Sequence, residues 1–293
     1  MKDAVAAFVY RKLLKPAPLR RAVNAVLLAI LPRSVALPEG RLYLNSADPV
    51  ISGALAFGVY ERFELAVFRA ILREGMTVLD VGANIGLYAI VAARHVGSSG
   101  AVIACEPDPV NFSVLERNVS ANALSNVHLY QYALADRSGT VTLHLSYSNK
   151  GHHTLTPTEL GDFTESAEVR AQTGDALIAD LHRTVNVIKL DIEGAEPLAL
   201  RGLAKTLAQP DLLLFFEFSP GPLKQAGFDP QMELSRLVAQ GFELYHLDGR
   251  RKRLRAIEDL AAFTATFRGA DYCNILGAKG APRASLPIFK KSA

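Results

Sequence analysis

The sequence predicts an α/β fold built on a doubly wound, mostly parallel, seven-stranded sheet with an antiparallel C-terminal strand. Apolar runs with the length of strands alternate with helical patterns, which is typical of βαβ units. Residues 78–86 read as a buried strand, a glycine-containing turn and the start of a helix. The last two predicted strands are joined by a short, partly helical connection, which favours an antiparallel end to the sheet.

The first half of the sheet contains buried strands predicted over 77–81, 101–105 and 127–132, with helices over 86–96 and 109–121. Continuous apolar residues in these strands indicate burial on both faces. The second helix has a clear start, because Asp108 is a good N-cap and Pro109 suits the first helical position. Residues 139–146 alternate apolar and polar side chains, which predicts an antiparallel strand paired with 169–172.

The second half repeats the pattern with strands over 185–190, 212–218, 242–247 and 272–276 and helices over 175–181, 196–207 and 231–240. Asp191 follows the first of these strands, and Glu217 lies near the end of the second. Before the last strand we predict a basic loop over 250–255. The simplest interpretation is a solvated loop, and the alternative is a binding site for phosphate or for an anionic membrane.

Composition bounds the domain organisation. The 293 residues are 49% hydrophobic, enough to bury the core of one large domain. We predict a helical extension over 1–47, a main domain over 48–280 and a tail over 281–293. Residues 1–33 carry a net charge of +6, whereas the whole chain carries +3. The remaining residues therefore have a net charge of −3. A weakly acidic body does not favour nucleic acid as a partner.

The N-terminal segment leaves three interpretations open. Its apolar run over 22–31 is shorter than the roughly 20 residues of a membrane span. A pair of helices broken at Pro16 and Pro18, an interfacial basic helix and a signal peptide all fit the pattern. We expect a cytoplasmic protein, with peripheral membrane contact through this segment as an option. Cys105 and Cys273 lie in apolar runs without metal-binding spacing, so we expect both to be reduced core residues.

The turn after the first strand has the features of a cofactor loop. Gly82 and Gly86 allow a ligand to lie against the backbone, and the following helix directs its free N–H groups towards the same place. A dinucleotide fingerprint requires G-x-G-x-x-G. Here the pattern from Asp80 to Gly86 is D-x-G-x-N-x-G. It resembles the first motif of class I S-adenosylmethionine-dependent methyltransferases, whose sheets end in an antiparallel strand.

Glu106 is the second candidate in the cofactor site. It follows the second strand, 24 residues after Gly82. Ligands of open α/β sheets bind outside the carboxyl ends of the strands, where an acid can accept both hydrogen bonds of a ribose diol. The alternative is a solvated turn residue.

A third run, Lys189-Leu190-Asp191-Ile192-Glu193-Gly194-Ala195-Glu196, narrows the resemblance. Together with the cofactor loop, Glu106-Pro107-Asp108-Pro109 and Gly58-Val59-Tyr60-Glu61, it is similar to the FkbM-type methyltransferases over roughly residues 48 to 220. The resemblance implies a Rossmann-like methyltransferase domain, S-adenosylmethionine as cofactor and an active-site role for Asp191 and Glu193. The residues that we assign to cofactor binding are Asp80, Gly82, Ala83, Asn84, Gly86, Glu106, Pro107 and Ala133.

The chemistry of methyl transfer selects the catalytic candidates. Transfer from a sulfonium is an in-line displacement, so the protein mainly positions the acceptor. A hydroxyl acceptor must also lose a proton to a carboxylate or a histidine, and the candidates are Asp191, Glu193, His152 and His153. Glu193 and Glu196 also suit the start of a helix, and paired loop histidines are often merely solvated. Asp191 and Glu193 with a histidine nearby suit a divalent ion, but no fixed spacing demands one, so we expect no metal.

We expect an O-methyltransferase that acts on a hydroxyl of a sugar, a glycolipid or a small metabolite, with no nucleic-acid partner. One alternative is a nicotinamide-dependent oxidoreductase, which the missing G-x-G-x-x-G and the absence of a Tyr-x-x-x-Lys pair disfavour. The other alternative is a protein that binds the cofactor without turnover.

Overall fold

The structure of the protein, a computed structural model, describes residues 31–146, 153–157, 159 and 163–281. The strands are β1 (Ser34–Leu37), β2 (Gly40–Tyr43), β3 (Thr77–Val81), β4 (Ala101–Cys105), β5 (Val127–Tyr130), β6 (Ala133–Leu134), β7 (Gly139–Ser146), β8 (Phe163–Gln172), β9 (Val187–Leu190), β10 (Leu212–Phe218), β11 (Glu243–Asp248), β12 (Arg253–Ala256) and β13 (Cys273–Lys279). The helices are α1 (Pro49–Ala56), α2 (Arg62–Ile71), α3 (Leu87–Val96), α4 (Pro109–Ala121), α5 (Gly174–Leu181), α6 (Glu196–Arg201), α7 (Ala204–Leu207), α8 (Pro220–Gln225), α9 (Pro230–Ala239) and α10 (Leu260–Thr264).

The main sheet confirms the predicted doubly wound α/β fold. Its order is β12-β11-β13-β10-β9-β3-β4-β5. The strands from β10 to β5 are parallel, and β13 runs antiparallel to both β10 and β11. Apolar side chains pack on both faces of this sheet, as its continuous hydrophobic strands require. The carboxyl ends of β3, β4, β9 and β10 therefore meet at one edge.

An additional edge strand was not predicted. The sequence predicted seven strands and a basic loop over 250–255, whereas part of that run forms β12 and pairs antiparallel with β11, which gives eight strands in the main sheet. Only the turn residues before Arg253 form a loop, with Lys252 in the left-handed region at φ 49°. Charged residues are common on edge strands because they discourage pairing with another chain. A run of arginines is therefore compatible with a strand at this position.

A smaller sheet lies beyond β5 and has the order β6-β8-β7. Its antiparallel pair confirms the predicted excursion, although β8 extends over ten residues instead of the four predicted. A further bridge joins His144 to Thr154 and brings the segment after residue 152 against this sheet.

The helix predicted over 196–207 is split into two shorter helices, α6 and α7. Gly202 lies at this break and packs against Ala135, where a side chain would collide with the carbonyl oxygen.

The N-terminal part differs from the prediction. Residues 34–43 form the hairpin β1–β2, where a helical extension over 1–47 was predicted. The hairpin is fixed by α4, because Asn118 and Asn122 each exchange two hydrogen bonds with the backbone of β2. The predicted helices broken at Pro16 and Pro18 lie outside the described residues, as does most of the predicted tail. Over the described residues, the helices are too short or too polar to cross a membrane.

The two cysteines are confirmed as reduced core residues. Both thiols are free and buried, Cys105 at the end of β4 and Cys273 at the start of β13. They belong to the hydrophobic core on one face of the main sheet.

Candidate active site

The glycine loop between β3 and α3 brings two parts of the site into contact. Gly82 has φ 77°, and a side chain there would collide with the backbone carbonyl of Asp191. The loop continues through Asn84, also in the left-handed region at φ 50°, to Gly86, which precedes α3. Gly82 is therefore needed because the chain after β9 crosses directly above it. The predicted cofactor loop and the predicted catalytic residue are neighbours.

Glu106 fixes this loop to the end of β4. One carboxylate oxygen accepts a hydrogen bond from Asn84 N at 2.8 Å, and the other accepts from Asp108 N at 3.0 Å. Burial raises the pKa of Glu106 to about 7, although the two backbone hydrogen bonds oppose this shift. Each carboxylate oxygen has two lone pairs and keeps capacity for a ligand hydroxyl. Glu106 is thus placed as predicted and also supports the loop.

A cavity of about 520 Å³ opens above the loop and the strand ends. This volume suits a ligand of nucleoside size together with part of a second ligand. Six of the eight residues that we assigned to cofactor binding line it: Gly82, Ala83, Asn84, Glu106, Pro107 and Ala133. Gly86 does not, because it packs against Leu115 of α4. Asp80 does not line it either, and its side chain is fully buried.

Asp80 is buried beneath the cavity and contacts the site through the charge of Lys189. Burial raises its pKa to about 6, while the nearby charge of Lys189 opposes the shift. Neither oxygen of Asp80 accepts a hydrogen bond within the part of the chain that the structure describes, and Lys189 Nζ lies 4.0 Å from Oδ1. The predicted direct contact with a cofactor is therefore replaced by an electrostatic contact with Lys189.

Lys189 connects Asp80 to the catalytic candidate Asp191. Its ammonium lies 3.1 Å from Asp191 Oδ2 and 4.8 Å from the ring centroid of Tyr88. Burial lowers the pKa of Lys189, but the charges of Asp191, Asp80 and Glu61 outweigh burial and raise it overall. Lys189 is therefore charged at neutral pH, and it forms a charge-assisted hydrogen bond with Asp191.

Three carboxylates gather where β9 and β10 end. Asp191, Glu193 and Glu217 each present an oxygen within 4.8 Å of the others, a spacing that suits a shared proton or a cation. Burial and mutual repulsion raise the pKa of Glu193 and that of Glu217 well above the usual range. Ser219 Oγ donates a hydrogen bond to Glu217 Oε1 at 2.6 Å. We call Asp191, Glu193 and Glu217 the carboxylate cluster.

Of the two histidines predicted as candidate proton acceptors, the structure describes only His153. His152 lies outside the described residues. His153 lines the cavity with a buried side chain, where Nδ1 accepts from Ser146 N at 3.1 Å and Nε2 lies 3.9 Å from Asp108 Oδ2. Its ring therefore lies beside the start of α4, not in the carboxylate cluster. The next residue, Thr154, donates to the carbonyl oxygen of Glu193 at 2.8 Å and fastens this segment above the strand ends.

Several residues that the sequence analysis did not assign to the site also line the cavity, among them Glu61, Lys189, Glu217 and Tyr272. For Glu217 a signal existed, because it lies near the carboxyl end of a buried strand, as Asp191 does. Lys189 precedes Asp191 by two positions, and residues two apart along a strand point to the same face of the sheet. This periodicity would have predicted that Lys189 lies beside Asp191. Glu61 ends the Gly58-Val59-Tyr60-Glu61 stretch of the family resemblance, but no role was assigned to it. Tyr272 comes from an element distant in sequence, and no local pattern marks it.

A model of the Methyltransferase FkbM domain matches residues 80–244, which is more than half of the chain. The chain belongs to the FkbM methyltransferase family. Membership of this family supports S-adenosylmethionine over a nicotinamide as the cofactor. The cofactor loop and Glu106 form the part of the cavity suited to this cofactor. S-adenosylmethionine supplies an electrophilic methyl group on a sulfonium, and these residues would hold its nucleoside part.

Curated relatives share moderate identity with the chain. It is 31% identical over 173 residues to methyltransferase sdnD of Sordaria araneosa, covering 59% of this chain and 59% of that protein. It is 28% identical over 184 residues to the hexuronic acid methyltransferase AglP of Haloferax volcanii, covering 61% and 69%. The chain thus spans less than two thirds of the Sordaria relative. The solved structure of methyltransferase FkbM from Methylobacillus flagellatus is 14% identical with a TM-score of 0.44, covering 89% of this chain and 59% of that one.

Proposed function

We propose that this methyltransferase transfers the methyl group of S-adenosylmethionine to a hydroxyl oxygen of a sugar, a glycolipid or a small hydroxylated metabolite. The observation that carries the proposal is that Asp191 follows β9, is in backbone contact with the cofactor loop at Gly82, and lines the same cavity. An oxygen lone pair attacks the methyl carbon, the bond from that carbon to sulfur breaks, and S-adenosylhomocysteine leaves. The hydroxyl proton passes to a carboxylate.

Asp191 is the proposed proton acceptor. Its side chain is 21% exposed, so an acceptor hydroxyl can reach it, and Lys189 Nζ lies 3.1 Å from its Oδ2 and fixes its position. Glu193 and Glu217 border the same space, and their raised pKa favours the protonated form. A protonated carboxyl donates one hydrogen bond and accepts others, which suits the orientation of a second hydroxyl on a polyol. The carboxylate cluster therefore combines one base with two groups that position the acceptor.

The charge of the cluster favours a neutral acceptor group over an anionic one. One relative is named a hexuronic acid methyltransferase, which supports a sugar-like acceptor. The acceptor end of this cavity, however, presents Asp191, Glu193 and Glu217, and Lys189 is already paired with Asp191. The raised pKa of Glu193 and that of Glu217 show that this space already disfavours negative charge, so an acceptor carboxylate would be disfavoured there as well. We therefore propose a sugar hydroxyl, and not a carboxyl group, as the methyl acceptor.

A screen with isotope-labelled S-adenosylmethionine tests this proposal. The candidates are neutral sugars, glycolipids and hydroxylated metabolites, with uronic acids whose hydroxyls are blocked as the matched carboxyl acceptors. We expect label in an ether linkage on a neutral sugar or polyol, together with release of S-adenosylhomocysteine. Label found only as a methyl ester, or on nitrogen, would contradict the proposal.

The carboxylate cluster is proposed to handle protons and not a metal ion. Burial raises the pKa of Glu193 and that of Glu217 well above the usual range, and a divalent cation requires ionised ligands. We therefore expect turnover to be unchanged after treatment with a chelator and dialysis. A loss of activity that added Mg²⁺ restores would assign the cluster as a metal site.

A further inference from the structure

Glu61 lies outside the matched family region of residues 80–244 but lines the cavity close to the cofactor loop. Its backbone is in the left-handed region at φ 41° and ψ 41°, immediately before α2. This conformation is unfavourable for a residue with a side chain and is typical of sites where a particular orientation is needed. The carboxylate accepts a hydrogen bond from Tyr88 OH at 2.7 Å, in the first turn of α3. Glu61 is thereby held over the start of the helix that follows the loop.

The other acids around the cofactor loop already have strong partners. Asp191 is paired with Lys189, and Glu106 accepts two backbone hydrogen bonds. Asp80 lies below the cavity and does not line it. Glu61 accepts from the neutral hydroxyl of Tyr88, and no basic side chain in the described ranges reaches ion-pair distance of it. Its charge is therefore available to a cationic ligand.

The cofactor carries such a cation. S-adenosylmethionine has an α-ammonium at its amino-acid end, on the other side of the sulfonium from the ribose. With the ribose at Glu106 and the methyl directed to the carboxylate cluster, the amino-acid end is left with the start of α3, where Tyr88 holds Glu61. We propose that Glu61 binds the α-ammonium of the cofactor's methionine moiety. Asp80 and Asn84 were also predicted to bind the cofactor, but only Asn84 lines the cavity.

The proposal also predicts that cofactor binding releases a proton from Glu61. Burial raises its pKa to about 7, and the charges of Asp191 and Glu64 add to the shift. Lys189 and the hydrogen bond from Tyr88 oppose it. A bound ammonium favours the carboxylate and lowers this pKa, so cofactor binding near pH 7 releases a proton. Affinity then increases as the pH rises from about 6 to 8.

Calorimetry with two ligands tests the proposal without any acceptor. S-adenosylhomocysteine carries the α-ammonium, whereas 5′-methylthioadenosine has the nucleoside and the thioether but lacks the amino-acid end. We expect Glu61→Gln to weaken S-adenosylhomocysteine about tenfold to a hundredfold and to leave 5′-methylthioadenosine unchanged. The glutamine retains an acceptor for Tyr88, so the contact with α3 is preserved. Proton release, measured in buffers of different ionisation enthalpy, is expected to decrease in this variant.

Two variants serve as controls. Glu64→Gln removes an acid from the same helix that does not line the cavity, and is expected to change neither affinity. Glu106→Gln alters the ribose ligand and is expected to weaken both ligands. An equal loss of both ligands in Glu61→Gln would mean that Glu61 only shapes the loop, and unchanged affinity for S-adenosylhomocysteine would mean that another group binds the ammonium. Either result overturns the inference and leaves the proposed O-methylation untouched, because no methyl acceptor enters the measurement.

Discussion

Asp191, the proposed proton acceptor, has to be reachable from the cavity and held in position. Its side chain is partly exposed, and Lys189 pairs with it at 3.1 Å. Lys189 is itself held by Asp80, which explains why an acid that never touches the ligand lies at the end of β3. The three residues act as a chain of alternating charges that begins in the core and ends in the cavity.

We expect Asp191→Asn to lower turnover by about 10²–10⁴-fold, because the amide keeps the shape but cannot accept the proton. Cofactor affinity should change little, since Glu106 and not Asp191 is the proposed ribose ligand. The measurement is a comparison of kcat with the affinity for S-adenosylhomocysteine, made with an acceptor from the screen. Glu193→Gln is the matched control, expected to have a milder effect. Near-normal turnover in Asp191→Asn would move the base to His152, His153 or another carboxylate.

At the scale of elements, the contact between α4 and the hairpin β1–β2 shows how polar side chains can replace a neighbouring strand. Asn118 accepts from Tyr43 N at 2.6 Å and donates to Tyr43 O at 2.9 Å, as a backbone amide would. It also donates to the carbonyl oxygen of Ile85 in the cofactor loop at 2.8 Å. One buried side chain therefore ties the hairpin, α4 and the loop together.

We expect Asn118→Ala to lower the free energy of unfolding by about 1–3 kcal/mol, because it leaves buried backbone groups without partners. Chemical denaturation measures this loss directly. Ser120→Ala is the control, since Ser120 is an exposed residue of the same helix, and it should stay within about 0.5 kcal/mol of the wild type. Equal stability of the two variants would show that the asparagine contacts are replaced by water.

The sequence was informative about elements wherever burial dictated the pattern. The strands β3, β4 and β10 and the helix α4 were predicted with the observed bounds, because their apolar periodicity and caps are local. The hairpin β1–β2 was missed, since its partners on α4 are about 75 to 81 residues away. The same applies to the site: the loop and the strand-end acids were predictable, but the αL conformation that directs Glu61 into the cavity is set by tertiary contacts.

The whole molecule concentrates buried acids around one cavity. Burial raises the pKa of Glu61, Glu106 and Glu196 to about 7 and that of Asp80 to about 6. The folded protein therefore binds protons more tightly than the unfolded chain, whose carboxyls titrate near 4. The contribution of these four acids to stability is greatest at a pH below about 4 and is lost as the pH rises through 6 to 7. The cationic cofactor offsets this decline.

We therefore expect the midpoint of thermal unfolding to fall between about pH 5 and 8 in the free protein. Added S-adenosylmethionine should raise the midpoint more at pH 8 than at pH 5.5, because the acids that face it are then ionised. Differential scanning fluorimetry at constant ionic strength measures both effects. A stability that increases over this interval would show that the acids are ionised at a lower pH than their burial implies.

The distribution of charge over the whole chain leads to a prediction about surfaces. Residues 1–33 carry a net charge of +6, and Arg250, Arg251 and Lys252 are exposed at the β11–β12 turn. Positive segments of this kind bind anionic lipid with an affinity that falls as salt increases. If the acceptor is a glycolipid, such contact would bring the cavity to its substrate.

We expect the full chain to float with vesicles that contain phosphatidylserine at low salt, and to dissociate as salt is raised. A variant beginning at residue 31 should lose most of this binding, because it lacks most of the N-terminal charge and the apolar run over 22–31. A second variant with Arg250, Arg251 and Lys252 changed to Gln keeps the N-terminal segment and separates the two surfaces. Equal flotation of the shortened and full chains, with loss only in the glutamine variant, would assign the contact to the β11–β12 turn. Binding that survives both changes and is insensitive to salt would exclude an electrostatic contact, and the basic N-terminal segment would then have to stabilise the protein by packing.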